Sequence, residues 1–133
     1  MKKCDEAKEI LIALGMPEKQ QSHFCCFTLL AMLNISPETD WSEATNEWTR
    51  IHDIIKFARE EYRTMYPEET REIFRKQAVY KLRDAALVED NGKAINSPNY
   101  RYRITKETLE LIQSFGTVDW ETNLEKFKNP TTI

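Results

Sequence analysis

Glycine, cysteine, histidine and long apolar runs are all scarce in this sequence. Its 133 residues include three Gly, three Cys and two His, with five Pro, and so few glycines favour helices. No apolar run approaches the roughly 20 residues that a membrane helix needs. The N-terminus becomes acidic at Asp5 and Glu6, where a signal peptide would become apolar. We therefore expect a cytoplasmic protein without a membrane partner.

The cysteines predict neither disulfides nor a zinc site. Cys4, Cys25 and Cys26 are odd in number, and the adjacent pair lies in an apolar stretch, without the C-x-x-C spacing of zinc ligands. His23 and Cys26 could share a helix face, but no second ligand pair accompanies them. Packing as small core residues is the better interpretation, and we expect no metal.

Catalytic motifs are missing as well. Neither G-x-G-x-x-G, nor a phosphate-binding G-x-x-x-x-G-K, nor G-x-S-x-G occurs. A nuclease would need clustered carboxylates and a lysine around Mg²⁺, and the only Glu-x-Lys is Glu6-Ala7-Lys8, which a helix-face ion pair explains. We expect no catalytic site and no cofactor in this chain.

Apolar residues recur at helical spacing along most of the sequence. We predict a first helix capped by Asp5 and stopped by Gly15, and a central core helix from Phe24 to Leu33, which is apolar almost all round. A third helix would carry the apolar stripe Trp48, Ile51, Ile55, Ala58 and Tyr62. A fourth would start at Tyr66 to Thr70 and run to about Ala86, and helices after Thr105 and from Asp119 to Phe127 would complete the chain.

A β-hairpin is predicted after the fourth helix. Leu87 to Glu89 reads as a short strand, Asp90 to Lys93 as a tight turn, and Tyr100 to Ile104 as an alternating return strand, with Asn96 to Asn99 widening the loop. Helix, short turn, helix, hairpin is the order of a winged helix. The predicted fold is mainly α, a winged helix-turn-helix with flanking helices and a short β-hairpin wing. We expect one domain over residues 1–133, with its core at about 48–104.

Positive charge is concentrated in one part of an acidic chain. The whole chain has a net charge of −3, yet residues 71–106 hold nine Lys or Arg against four acids, a local net charge of +5. These cations fall on the fourth helix and the wing, the two elements that a winged helix places on DNA. The alternative is a solvated charged helix beside a cationic sheet edge, but the coincidence of charge and element order favours binding.

The fourth helix would bury one face and expose a polar one. Helical spacing buries Phe74, Ala78, Leu82 and Ala85. It turns outward a polar and mostly cationic set, namely Thr70, Lys76, Gln77, Tyr80, Lys81 and Arg83. Arg and Lys suit guanine edges and phosphates, and Gln suits adenine. In the return strand, Tyr100, Tyr102 and Ile104 would share one face and Arg101 and Arg103 the other.

The three tryptophans could stack on bases, but packing is the favoured interpretation. Trp48 lies on the stripe of the third helix and is predicted in the core. Trp41 lies in a polar connector, where either a packing site or a ligand contact is open, with packing favoured.

Five blocks of the sequence resemble the N-terminal domain of BsuBI/PstI-type restriction endonucleases. They cover residues 6–21, 28–34, 41–44, 69–79 and 96–98, and read EAKEILIALGMPEKQQ, TLLAMLN, WSEA, ETREIFRKQAV and NSP. The resemblance implies a winged-helix domain that helps a type II enzyme hold its DNA site. The sequence lacks that family's nuclease domain, so the resemblance implies an excised domain or a standalone relative, and Mg²⁺ only for the absent nuclease domain.

The resemblance also selects site residues. It implies DNA contacts by Thr70, Arg71, Arg75, Lys76 and Gln77, with Asn96 and Ser97 supporting from the wing. The charge pattern adds further candidates, which are Tyr80, Lys81, Lys93, Arg101 and Arg103. Some related winged helices read 6-methyladenine, which would need a small apolar pocket near Trp41 or Tyr80.

We therefore expect sequence-specific binding to double-stranded DNA as the recognition domain of a type II restriction endonuclease. A standalone transcription regulator, which usually dimerises to span two half-sites, is one alternative. A winged helix that binds an acidic protein instead of DNA is another, because fold does not determine function. The target sequence, the effect of methylation and the oligomeric state stay open at this point.

Overall fold

The computed structural model describes residues 2–17, 22–93 and 97–129. Over these ranges the chain is mainly helical, with one small antiparallel sheet. The helices are α1 (Lys2–Ala13), α2 (His23–Leu33), α3 (Ile51–Tyr62), α4 (residues 68–84), α5 (Lys106–Ile112) and α6 (Trp120–Lys128), and the strands are β1 (Val88–Asp90) and β2 (Tyr102–Ile104). None of the described helices is long and apolar enough to cross a membrane.

Helix α2 is the centre of the hydrophobic core, as the sequence predicts. Residues 25–33 are all buried, because α1, α3 and α4 pack around the helix. The Ser22 side chain accepts a hydrogen bond from the Cys25 N–H at 3.5 Å, which satisfies one of the free amides of the first turn. Asn34 ends the helix in the left-handed conformation with φ 57°.

Helix α1 begins earlier than predicted. It starts at Lys2, so Asp5 lies in its first turn rather than at the cap. A carboxylate in that position still complements the positive end of the helix dipole. Ala7, Ile10 and Leu11 are fully buried, and the chain leaves the helix at Gly15, whose φ of +85° disfavours residues with a Cβ.

Helix α3 begins at Ile51, and Trp48 lies outside it. The Asp53 carboxylate accepts the Arg50 backbone N–H at 3.0 Å, which fixes the first turn. Thr49 is extended, and its backbone exchanges hydrogen bonds of 2.7 and 2.9 Å with Tyr102. The predicted core position of Trp48 is therefore wrong. It precedes a strand-like residue instead of occupying the helical stripe, and its side chain is 41% exposed.

Helix α4 is continuous but not uniformly α-helical. It opens with a 3-10 turn at Glu68–Thr70 and contains a π turn at Arg75–Val79, in which the Tyr80 N–H donates to the Arg75 carbonyl. Phe74, Ala78 and Leu82 are buried as predicted, and the π turn also buries Val79. Ala85 is exposed rather than buried, because the helix ends at Asp84.

The hairpin forms with the predicted facing of its side chains. Strands β1 and β2 pair antiparallel, with Val88 opposite Ile104 and Glu89 opposite Arg103. Tyr102 and Ile104 are buried, while Arg101 and Arg103 are only half-buried. Strand β1 is shifted by one residue from its predicted position. Strand β2 is two residues shorter than predicted, because it begins at Tyr102. An isolated bridge joins Thr49 to Tyr102 of β2, a pairing that the local sequence pattern does not reveal.

Helices α5 and α6 close the other side of the core. Thr105 caps α5 by accepting the Thr108 N–H at 3.4 Å, and Gly116 has a φ of +84° after the helix. Trp120 of α6 packs edge-on against Phe115 with ring centroids 5.1 Å apart. The predicted winged helix-turn-helix with flanking helices and a β-hairpin wing is confirmed.

Candidate nucleic-acid interface

A cleft of about 270 Å³ lies where α3, α4 and the hairpin meet. We call it the arginine cleft, because four arginines and no carboxylate are among the described residues that line it. Its lining consists of Arg50, Ile51, His52, Arg71, Arg75, Ser97, Pro98, Tyr100, Arg101 and Tyr102. The arginines come from three separate parts of the chain, namely the start of α3, the first half of α4 and the approach to β2.

Arg101 is held in the cleft by backbone oxygens. Its Nη1 donates to the carbonyls of Pro98 at 2.8 Å and Tyr100 at 3.0 Å. Neither partner carries a charge, so these bonds orient the guanidinium without neutralising it. The Asn91 side chain accepts the Arg101 backbone N–H at 3.2 Å, which ties this segment to the end of β1. Arg101 therefore presents a full positive charge from a fixed backbone.

Arg50 and Arg75 each have an acidic partner that lies outside the cleft lining. Arg50 pairs with Asp53 through Nε and Nη2, at 3.2 and 3.1 Å, and Arg75 pairs with Glu72 one turn earlier on α4. Burial acts to raise the pKa of the Asp53 carboxyl, but hydrogen bonds from Arg50 outweigh it and the pKa is lowered. Such exposed ion pairs are weak, so both arginines can exchange partners with another anion.

His52 links the two helices of the helix-turn-helix beside the cleft. Its Nδ1 lies 2.9 Å from Glu68 Oε1, at the start of α4, and Arg59 lies 3.7 Å from the other Glu68 oxygen. The hydrogen bond with His52 lowers the pKa of the Glu68 carboxyl. Together these contacts join the first turn of α4 to α3.

The outward face of α4 lies next to the cleft. Ile73, Lys76 and Gln77 are exposed there, with 69% exposure for the Lys76 side chain. Lys76 Nζ lies 4.0 Å from Glu72 Oε2, and Arg75 contacts the same carboxylate. Thr70 is half-buried, and its hydroxyl donates to the Pro67 carbonyl at 2.5 Å, within the turn that opens the helix.

The C-terminal half of α4 is attached to the hairpin. Arg83 lies over the Tyr80 ring, 4.5 Å from its centroid, and its Nη1 is 3.5 Å from Asp90. Tyr100 donates its hydroxyl proton to the same carboxylate at 3.2 Å. Tyr80, Lys81 and Arg83, which are predicted to point outward, are half-buried instead, and Arg83 is held there by its contacts with the hairpin.

The remaining predicted wing residues do not all meet in one place. Ser97 lines the arginine cleft and its hydroxyl accepts the Asn99 N–H at 3.1 Å. Lys93 is exposed at the turn. Arg103 projects from the outer face of the sheet, where its Nε donates to Glu89 at 2.7 Å. Asn96 lies outside the described residues.

The possible methyl-base pocket near Trp41 is not supported by the geometry. Trp41 is only 4% exposed, its indole N–H donates to Glu6 at 2.9 Å, and its ring meets Phe115 edge-on at 5.7 Å. Packing is therefore the correct interpretation of Trp41, and its ring cannot receive a base. The connector looks polar in the sequence, but a 3-10 turn at Trp41–Glu43 folds this one side chain inward.

Sequence reasoning missed Arg50 and His52 as members of the cleft. The available signal is Asp53, three residues after Arg50, which is the spacing of a helix N-terminus stabilised by an acidic third residue. The apolar stripe that begins at Trp48 placed the predicted start of the third helix too early. Across residues 2–17, 22–93 and 97–129, no group of three or more His, Cys, Asp or Glu side chains could hold a metal ion.

Comparisons with known proteins identify related chains. The family model described as "BsuBI/PstI restriction endonuclease HTH domain" matches residues 1–133. The type II restriction enzyme BsuBI of Bacillus subtilis is 34% identical over 126 residues, which are 92% of this chain and 40% of that protein. The type II restriction enzyme AplI of Arthrospira platensis is 36% identical over 126 residues, 92% of this chain and 39% of that enzyme.

A solved structure shares the fold. The SdaI restriction endonuclease superposes with a TM-score of 0.87 at 25% sequence identity, covering 95% of this chain and 41% of that one. The chain thus spans about two fifths of the length of each of these three proteins.

Proposed function

Because the chain belongs to the BsuBI/PstI restriction endonuclease HTH domain family, we propose that it binds double-stranded DNA as the recognition domain of a type II restriction endonuclease. The relatives are enzymes of that class, and a winged helix is suited to duplex DNA through its second helix and its wing. DNA cleavage, and the Mg²⁺ that it would require, we assign to the nuclease part of such an enzyme.

The arginine cleft is the observation that carries this proposal. Four arginines from the start of α3, from α4 and from the hairpin line one cleft that no carboxylate lines among the described residues. Guanidinium groups donate in a planar fork that matches phosphate oxygens. A DNA strand that runs along the mouth of the cleft would place its phosphates against Arg50, Arg71 and Arg101.

Docking of phosphates in the cleft would set α4 in the major groove. The exposed Lys76 and Gln77 then face base edges, where Lys can donate to guanine and Gln can form two hydrogen bonds with adenine. Phosphate contacts position the protein without reading the sequence, and the base contacts supply the specificity. This division assigns Arg71 and Arg75 to positioning, and Lys76 and Gln77 to recognition.

On binding, Arg50 and Arg75 would exchange their acidic partners within the protein for phosphates of the DNA. Asp53 and Glu72 hold Arg50 and Arg75 in the free protein, at a net energy of about 0–1 kcal/mol per exposed pair. A phosphate offers a comparable partner. Its neutralisation by the arginine also releases counterions from the DNA. The acids would therefore keep the arginines oriented toward the cleft without preventing binding.

We further propose that binding is sensitive to adenine methylation of the DNA site. A Gln that pairs with adenine accepts a hydrogen bond from the N6 amino group, so a methyl group on N6 would alter the contact with Gln77 directly. No separate aromatic pocket is required for this effect. A methylated and an unmethylated version of the selected site would then differ in affinity for the wild-type protein and much less for Gln77→Ala.

Selection from random duplexes followed by gel shift tests the function. The double variant Arg75→Ala with Lys76→Ala should bind the selected site at least about tenfold more weakly, because it loses two charged hydrogen bonds. The matched control is Lys126→Ala with Lys128→Ala, two exposed lysines of α6, which should bind as the wild type does. Equal affinity of the wild type and the α4 double variant would contradict the proposal.

A further inference from the structure

Ile73 is a large apolar side chain exposed on helix α4. It is 42% exposed, while the adjacent Phe74 is fully buried. The other exposed side chains of residues 68–84 are polar or charged, namely Glu69, Arg71, Glu72, Lys76, Gln77 and Asp84. Single exposed apolar residues are common on protein surfaces, so the significance of Ile73 depends on its neighbours.

Those neighbours are the side chains best placed to read bases. Residues three and four positions apart lie side by side on a helix, so Ile73 borders both Lys76 and Gln77 on the outward face. Arg71 and Arg75 lie on the flank that lines the arginine cleft, and Phe74 faces the core, 5.1 Å from the Phe24 ring. Helix α4 therefore directs Arg71 and Arg75 to the cleft, and Ile73, with Lys76 and Gln77, to the surface that would enter the groove.

The π turn adds an independent sign that this part of α4 is specialised. It begins at Arg75, two residues after Ile73, and includes both Lys76 and Gln77. Single π turns inside α-helices are rare and occur frequently at functional sites. Here the turn keeps Ala78 and Val79 buried against the core while Lys76 and Gln77 remain in solvent beside Ile73.

From this arrangement we infer that Ile73 contacts the C5-methyl group of a thymine in the major groove, next to the base pair that Gln77 reads. This inference rests on the proposed function. The major-groove edges of the four base pairs carry donors and acceptors, and thymine alone among the standard bases adds an apolar group, its methyl. An aliphatic side chain beside polar readers therefore complements thymine and leaves an unmethylated pyrimidine at that position less well packed.

Replacement of single thymines by deoxyuridine tests the inference, because it removes only the C5-methyl group. In the site obtained by selection, each thymine is replaced in turn and the affinity of the wild-type protein is measured. At one position we expect about a fourfold loss, which corresponds to one buried methyl group. Ile73→Ala should bind the thymine and deoxyuridine duplexes at that position with equal affinity.

Val118→Ala is the matched control. Val118 is 96% exposed and lies between α5 and α6, so this variant should retain the fourfold response to deoxyuridine. Circular dichroism of each variant establishes that it is folded before the affinities are compared.

The possible results separate the two proposals. If the wild type binds a selected site but no deoxyuridine replacement alters its affinity, or if the selected site contains no thymine, the inference about Ile73 is overturned and DNA binding stands. A response to deoxyuridine that persists unchanged in Ile73→Ala also overturns it. Absence of binding to any duplex by the folded wild type removes the proposed function itself.

Discussion

The guanidinium of Arg103 lies 4.2 Å from the centroid of the Trp48 ring. The same guanidinium donates to Glu89 at 2.7 Å, and Glu89 is the residue opposite Arg103 in the hairpin. Trp48 precedes Thr49, whose backbone pairs with Tyr102. An acid, a cation and an aromatic ring thus form a row across the two strands and the segment before Thr49, outside the lining of the arginine cleft.

This row predicts a structural role for Arg103. Arg103→Ala should lower the free energy of unfolding by about 1 kcal/mol, since it removes an exposed cation–π contact and an ion pair. Urea denaturation at pH 7 measures the change. Lys93→Ala, at an exposed position of the same hairpin, should alter stability by less than about 0.5 kcal/mol. Equal stabilities of the wild type and Arg103→Ala would show that the row contributes nothing.

The arginine cleft predicts a specific dependence on salt. Each phosphate contact contributes about 0.9 to the slope of log affinity against log salt concentration on duplex DNA. Arg101→Ala should therefore reduce the magnitude of that slope by about one contact. Lys128→Ala, exposed at the end of α6, should leave the slope as it is in the wild type. If Arg101→Ala weakens binding with an unchanged slope, Arg101 does not contact a phosphate.

Adjacent residues of α4 should differ strongly in their effect on stability. Phe74 is fully buried and packs edge-on against Phe24 and Tyr66, with centroids 5.1 and 5.3 Å away. Phe74→Ala should cost about 3–5 kcal/mol, and Ile73→Ala less than about 0.5 kcal/mol, as measured by urea denaturation. Similar losses for both would mean that α4 is rotated from the orientation described.

The cysteines of α2 should be unreactive in the folded protein. Burial raises the pKa of the Cys26 thiol from 9.0 to about 12 and also raises that of Cys25. At pH 8 both remain protonated, and iodoacetamide reacts with the thiolate. Mass spectrometry should find both residues unmodified in buffer and alkylated in urea. Rapid alkylation of Cys26 in the folded protein would contradict its burial.

The raised pKa of the Cys26 thiol also makes one contribution to the dependence of stability on pH. The folded protein holds the Cys26 proton more tightly than the unfolded chain does, so this contribution to stability is complete below pH 9. It decreases as the pH rises from 9 toward 12, because only the unfolded thiol ionises there. Cys26→Ala should lose less stability than the wild type between pH 8 and pH 10, measured by urea denaturation.

Sequence reasoning succeeded where the determining interactions are local. The burial of α2, the cap at Thr105 and the alternation of Tyr102 with Arg101 and Arg103 follow from helical or strand periodicity within about ten residues. It failed at Trp48, whose position depends on the pairing of Thr49 with Tyr102, far along the chain. Arg50 went unrecognised because its role depends on where α3 begins.

The sequence alone determined that the chain is a helix-rich winged helix, with its positive charge on α4 and the hairpin, because spacing and charge are properties of neighbouring residues. Only the tertiary structure decided which cations act together. It brought Arg50, Arg71, Arg75 and Arg101 to one cleft, and it committed Arg83 and Arg103 to acids of the hairpin. The physical reason is that long side chains reach partners selected by packing between distant segments, which no local periodicity encodes.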